Sequence, residues 1–204
     1  DIVSTVLVVI VVIFAILLQG IAYICTLFRR DVRENIKRRY MQVMKFGGTS
    51  VANATNMSKV VDIVSKAVER DRTILISSAI SGCTDTLIKI GIRASERDES
   101  YKTLIDDLQK KHHDIIRELL PLEKHEESRE VCDALFDSLR GIAQGVCLLG
   151  ELSPASLDAI QSFGELWSTK ILATKLASIG IATKWVDSRA IIRTVPKNGK
   201  NVVD

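Results

Sequence analysis

The chain has 204 residues, of which 47% are hydrophobic and 26% charged, so it has enough apolar material for a domain with a sizeable core. The formal net charge is +3, and the segment 1–40 carries all of it, because residues 40–204 sum to zero. This balance excludes a strong general attraction of the body of the chain to nucleic acid.

The first element in the chain is an uncharged, apolar run over residues 2–28, followed by a basic segment over residues 29–39. Its length predicts a transmembrane helix, and the basic flank would keep the following residues in the cytoplasm. A cleaved signal peptide would carry its positive charge before the apolar run. Because Met41 is the first methionine, residues 1–40 are either a genuine anchor or an extraneous segment.

The body of the chain then alternates between strand and helix patterns. Residues 42–46 predict a short buried strand, residues 57–68 an amphipathic helix, and residues 73–81 a second strand. Such a unit implies parallel pairing and a right-handed crossover. The later patterns predict a long helical stretch with an interruption, a helix begun by Ser153 and Pro154, and a third strand, over residues 84–149, 153–180 and 181–187.

The cysteines and histidines give no pattern typical of a metal site. Four cysteines are present without a C-x-x-C pair, and they are interpreted as reduced, mostly packed thiols. The three histidines lie among charged residues of the helical stretch and are predicted to be solvated.

Ligands of parallel α/β sheets bind outside the carboxyl ends of the strands. Three segments fall there: residues 45–50, residues 78–84, and an apparent helix break at Gly164 and Glu165. The sequence therefore places its candidate binding groups at one edge of the predicted sheet.

The stretch KFGGTS has the composition of a phosphate-binding turn. Glycines let backbone N–H groups approach an anion, and Lys45 offers a compact positive charge. It matches neither the P-loop nor the dinucleotide-binding pattern. An ordinary strand-to-helix turn is the alternative interpretation.

The other two segments also have structural alternatives. Ser78, Ser81 and Thr84 could contact a small polar substrate, although Thr84 could instead cap the following helix. A carboxylate at Glu165 could receive a substrate ammonium group, or it could be a solvated surface glutamate.

The three motifs KFGGTSV, SSAISGCTD and SFGELWST, in this order and spacing, resemble those of the aspartokinases, members of the amino acid kinase family. The resemblance covers residues 41–204 and implies an α/β three-layer sandwich with a mainly parallel sheet, of which this chain holds the N-terminal half. The 81 positions between Thr84 and Glu165 resemble the helical insertion of the longer aspartokinases, including those fused to homoserine dehydrogenase.

The resemblance implies ATP-dependent phosphorylation of the L-aspartate β-carboxylate to 4-phospho-L-aspartate, in the biosynthesis of lysine, threonine and methionine. It implies that Lys45 is catalytic and, with Gly47, Gly48, Thr49 and Ser50, contacts the ATP phosphates, which Mg²⁺ bridges without a dedicated protein ligand.

In the same resemblance, Ser78 and Thr84 line the aspartate site, and Glu165 meets the α-ammonium group. It further implies a cytoplasmic kinase domain and a homo-oligomer in the complete protein.

The aspartokinase pattern continues, beyond residue 204, into a glycine-rich motif and regulatory domains, so this chain alone is expected to be inactive or nearly so. Two alternative functions stay open: another amino acid kinase acting on acetylglutamate or glutamate, and a membrane-anchored, non-catalytic half-kinase module. The pairing of KFGGTSV with SFGELWST argues against the first of these.

Overall fold

The computed structural model describes residues 5–10, 41–197 and 200–203. The strands are β1 Thr5–Ile10, β2 Met41–Phe46, β3 Arg72–Ser77, β4 Ala182–Asp187, β5 Thr194–Lys197 and β6 Lys200–Val203. The helices are α1 Ala54–Val68, α2 Cys83–Ser95, α3 Tyr101–Leu119, α4 His125–Leu149 and α5 Pro154–Ser178.

The main sheet is parallel and has the strand order β2-β3-β1-β4. The chain passes from β2 through α1 to β3, which is the predicted βαβ unit. A separate antiparallel pair joins β5 to β6. The predicted α/β class with a parallel sheet is therefore confirmed.

The transmembrane helix predicted over residues 2–28 is wrong for the part that the structure describes. Residues 5–10 form β1, which pairs with β3 on one side and β4 on the other, with Val8 opposite Leu75 and Trp185. A strand inside a parallel sheet is an apolar, β-branched run, so VLVVI fits such a strand as well as a membrane helix. The rest of the run and the basic segment 29–39 lie outside the described residues.

Among the described helices, none is both long enough and apolar enough to cross a bilayer. Membrane contact through residues 2–28 stays a prediction for the part of that run that lies outside the described residues.

The helices form two layers on the sheet. Helices α1 and α5 lie side by side against the strands, and α2, α3 and α4 pack outside them. Strand β3 is buried over residues 73–77, on both of its faces, as expected for an inner strand. The complete three-layer sandwich stays a prediction.

Most helix boundaries follow the sequence signals. Ser153 caps α5 by accepting a hydrogen bond from the Ser156 amide, with Pro154 in the first position, and Gly180 follows the helix end at φ +84°. The stretch predicted as helical over 84–149 is three helices. It is interrupted at Pro121 as predicted and also before α3, where Arg97 has φ 59°.

The prediction that the histidines are solvated is wrong for His112. Its ring is fully buried and lies 4.8 Å from the Trp167 ring and 5.6 Å from the Phe136 ring, measured between centroids. Burial lowers the pKa of His112 to about 4, so the ring is neutral at physiological pH. Because the sequence neighbours of His112 are charged, the sequence did not indicate that this histidine lies on the buried, apolar face of α3.

Candidate functional site

The carboxyl ends of β2 and β3 meet through backbone contacts. The Ser78 amide donates to the Phe46 carbonyl at 3.0 Å, which extends the pairing by one residue. A Cβ atom at Gly48 would lie 3.0 Å from the Ala79 carbonyl oxygen. Glycine at this position therefore permits the close approach of the two loops.

The segment Gly48–Val51 forms one short 3-10 turn between β2 and α1. The Ser50 amide donates to the Gly47 carbonyl at 2.9 Å, and Asn56 Nδ2 donates to the Thr49 carbonyl at 2.8 Å. Lys45 at the end of β2 is exposed, and it forms no ion pair with any described residue. Among the described residues, its ammonium group therefore has no competing acidic partner.

Glu165 is a buried carboxyl group at this edge of the sheet. Glu165 is only 5% exposed, and its Oε1 atom accepts a hydrogen bond from the Ala79 amide at 3.3 Å. Burial raises the pKa of Glu165 to about 7, although the backbone hydrogen bonds oppose that shift. The alternative interpretation of Glu165 as a solvated glutamate is therefore wrong.

No described Lys, Arg or His lies within ion-pair distance of Glu165. A buried carboxylate is costly unless it is paired with a cation. Among the described residues, the Glu165 carboxyl group therefore lacks a cationic partner that would stabilise its charged form.

Gly164 does not break the helix: the helix predicted over residues 153–180 is confirmed, and the apparent break at Gly164 is wrong. Helix α5 runs continuously through it, and a Cβ atom there would lie 2.7 Å from the Ala79 Cβ and 3.4 Å from the Cys83 Sγ. The missing side chain at Gly164 therefore allows α5 to pack closely against the loop after β3. This close packing places the Glu165 side chain next to the Ala79 amide.

We expect Gly164→Ala to destabilise the fold by about 1–2 kcal/mol in urea unfolding, because overpacking outweighs the better helix propensity of alanine. The double variant Gly164→Ala/Ala79→Gly should recover most of the loss, since it removes the clashing methyl group. Gly141→Ala is the matched control on α4, where a Cβ meets nothing within 4 Å, and it should stabilise slightly. If Gly164→Ala had the same effect as the control, with no loss of stability, that result would contradict this packing role.

The predicted aspartate-site hydroxyls, those of Ser78 and Thr84, belong to residues that flank Ala79 in the sequence. Ser78 and Thr84 are both half-buried, and Thr84 lies in the first turn of α2. The capping position of α2 is Gly82 at φ 76°, so the alternative interpretation of Thr84 as the N-cap is wrong. Neither the Ser78 nor the Thr84 hydroxyl therefore caps the helix α2.

Two further side chains support the loop after β3. Ser168 Oγ donates to the Ser78 carbonyl at 2.9 Å, and Lys111 Nζ on α3 donates to the Ser81 carbonyl at 2.9 Å. Ser168 lies one turn after Glu165, within the motif SFGELWST, whereas no local pattern marks Lys111. Sequence reasoning missed both residues.

The described cysteines match the prediction of reduced, mostly packed thiols. Cys83, Cys132 and Cys147 are free, and the first two are buried. Burial, and then the Glu165 carboxyl group, raises the pKa of Cys83 to about 12. The Cys83 thiol beside the site is therefore protonated and does not act as a nucleophile.

The edge of the sheet thus combines an exposed lysine and glycine turn with a buried carboxyl group and nearby hydroxyls. The first set is suited to phosphate oxygens and the second to an ammonium group on a small polar molecule. Among the described residues, no group of three or more His, Cys, Asp or Glu side chains could hold a metal ion.

Comparisons with known proteins agree with this arrangement. The sequence model of the Amino acid kinase family matches residues 41–203. A bifunctional aspartokinase/homoserine dehydrogenase 1 of Zea mays is 28% identical over 162 residues, which are 79% of this chain and 17% of that protein. Aspartokinase 1 of Arabidopsis thaliana is 30% identical over 148 residues, which are 72% of this chain and 25% of that protein. Both relatives are chloroplastic.

A solved structure has the same fold. Aspartokinase III of E. coli, in complex with aspartate and ADP, matches with a TM-score of 0.69 and 28% identity. The match covers 81% of this chain and 35% of that one. The chain therefore spans about a third or less of the length of these relatives.

Proposed function

The chain belongs to the amino acid kinase family, and on that premise we propose that residues 41–204 form the aspartate-binding and phosphate-contacting part of an aspartate kinase. The reaction would be the ATP-dependent phosphorylation of the L-aspartate β-carboxylate. The relatives named aspartokinase support this substrate, and so does the solved structure with aspartate and ADP. The observation that carries the proposal is the buried Glu165 carboxyl group without a cationic partner among the described residues.

In this proposal, Glu165 receives the α-ammonium group of L-aspartate, and the Ser78 and Thr84 hydroxyls contact its polar atoms. The Ala79 amide holds the Glu165 side chain in place at 3.3 Å. An ammonium group beside the carboxyl favours its ionised form, so substrate binding would itself lower the pKa of Glu165. The ammonium group of the ligand would thereby provide the positive partner that the buried carboxylate lacks among the described residues.

The phosphate half of the proposed site is the turn after β2. Lys45 would contact the transferring phosphoryl group, and the backbone of Gly47 and Gly48, with Thr49 and Ser50, would hold phosphate oxygens. Mg²⁺ would bind to those oxygens. An oxygen of the ionised β-carboxylate forms a bond to the γ-phosphorus while the bond to the departing ADP oxygen breaks. Catalysis is then positioning and charge stabilisation, with no general base required.

We expect Lys45→Ala to weaken the binding of Mg·ATP, measured by calorimetry with L-aspartate present, by about tenfold to a hundredfold. This is the usual worth of one charge-assisted contact to a phosphate. Lys59→Ala is the matched control, because Lys59 is also exposed and lies on the neighbouring helix α1. Equal effects of the two substitutions would show that only the general charge matters and would contradict the role of Lys45.

A further inference from the structure

A cavity lies on the opposite side of α5 from Glu165. It has a volume of about 180 Å³, is partly open to solvent and is lined by residues of α4, α5 and β4. On α5 its lining includes Trp167, Lys170 and Thr174, which point roughly half a turn of the helix away from Glu165 at about 100° per residue. We name it the tryptophan cavity, because Trp167 and Trp185 both line it.

The walls of the tryptophan cavity are mainly apolar. Val131 and Leu135 contribute from α4, and Ile171 contributes from α5. The two indole rings complete the lining, and they are the only tryptophans of the chain. Small-molecule sites typically have this mostly apolar surface with a few polar groups that fix orientation.

One cation interrupts that apolar lining. Ser128 and Trp167 also line the cavity, but Ser128 Oγ and Trp167 Nε1 are buried atoms with almost no accessible surface to offer a ligand. Lys170 Nζ lies 3.7 Å from the centroid of the Trp185 ring and forms no ion pair with a described residue. The lining thus offers one cation that has no ion-pair partner among the described residues.

The one acidic side chain of the lining does not neutralise this cation. Glu127 accepts a hydrogen bond from Lys124 Nζ at 2.8 Å and is exposed on α4. Burial lowers the pKa of Lys170, which the nearby Asp187 partly opposes, so an anion in the cavity would relieve an existing cost.

From this lining we propose that the tryptophan cavity binds a small apolar carboxylate, with the carboxylate group beside Lys170 Nζ. A small branched acid would place its methyl groups against Val131 and Leu135. This site is separate from the proposed aspartate site and does not depend on it.

Tryptophan fluorescence tests the proposal on the whole chain, because both reporters line the cavity. The probe is 3-methylbutanoate, and 3-methylbutanamide is its uncharged control of the same shape. We expect a saturable fluorescence change with the acid and at least tenfold weaker binding of the amide. A response that does not saturate, or that is equal for acid and amide, would overturn the proposal and leave solvent as the only occupant.

Substitution of the cation gives the second arm of the test. Lys170→Met keeps an apolar stem over Trp185 and should weaken binding of the acid at least tenfold, bringing it close to the amide. Lys175→Met is the matched control on the same helix outside the cavity lining, and it should leave the affinity unchanged. Unchanged affinity in Lys170→Met would overturn the proposal. If that variant fails to fold, the comparison of acid with amide on the unaltered chain decides it.

Discussion

Replacement of Glu165 by glutamine should stabilise the fold by about 3 kcal/mol at pH 8 and by less than about 1 kcal/mol at pH 5. The pKa of the Glu165 carboxyl group rises from its ordinary value of 4.5 to about 7 in the folded chain. The folded chain therefore holds a proton that the unfolded chain has lost between these two values, and stability falls as pH rises through that window. Glutamine mimics the protonated form and keeps the acceptor for the Ala79 amide.

Urea unfolding at several pH values between 5 and 8.5 measures this effect. Glu130→Gln, at an exposed position on α4, is the matched control, and it should give no comparable pH-dependent gain. A Glu165→Gln difference that is independent of pH would contradict the raised pKa. A stabilising substitution at a candidate ligand-binding group is the trade-off expected where function opposes stability.

Replacement of Val8 by proline should cost about 3 kcal/mol or more, because β1 lies between two hydrogen-bonded neighbours. Proline removes a backbone N–H from the ladder and leaves a carbonyl of a neighbouring strand without its partner. The measurement is the free energy of unfolding in urea, followed by far-ultraviolet circular dichroism.

Val8→Ile serves as the control for Val8→Pro, because it keeps the N–H group and the β-branched side chain. We expect it to unfold within about 1 kcal/mol of the unaltered chain. If proline were tolerated as well as isoleucine, residues 5–10 would not be part of the sheet.

The sequence was sufficient for the elements whose signals are local. The apolar stripe of α1, the Ser153 and Pro154 start of α5, and the strand that becomes β4 all depend on residues close together in the chain. The order of the motifs also predicted that residues 45–50, residues 78–84 and Glu165 converge. The backbone contact of Gly48 with Ala79 and the Ala79–Glu165 hydrogen bond confirm this convergence.

The errors fall where tertiary packing decides. An apolar run of valines and isoleucines satisfies either a bilayer or a sheet interior, so residues 5–10 could not be assigned from composition. The sequence suggested a helix break at Gly164, because glycine is unfavourable inside a helix. The packing reason for this glycine, the nearby Ala79 methyl group, comes from a residue far away in the sequence. The burial of Glu165 and His112 likewise depends on partners contributed by other elements.

The central claim is that Glu165 recognises the ammonium group of L-aspartate, and calorimetric titration of this chain at pH 8 tests it directly. Succinate is the control ligand, because it has both carboxylates of aspartate and lacks the ammonium group. We expect saturable binding of L-aspartate at one site, at least tenfold weaker binding of succinate, and loss of this preference in Glu165→Gln. Equal binding of aspartate and succinate, no binding of aspartate, or a preference that survives Glu165→Gln would contradict the claim.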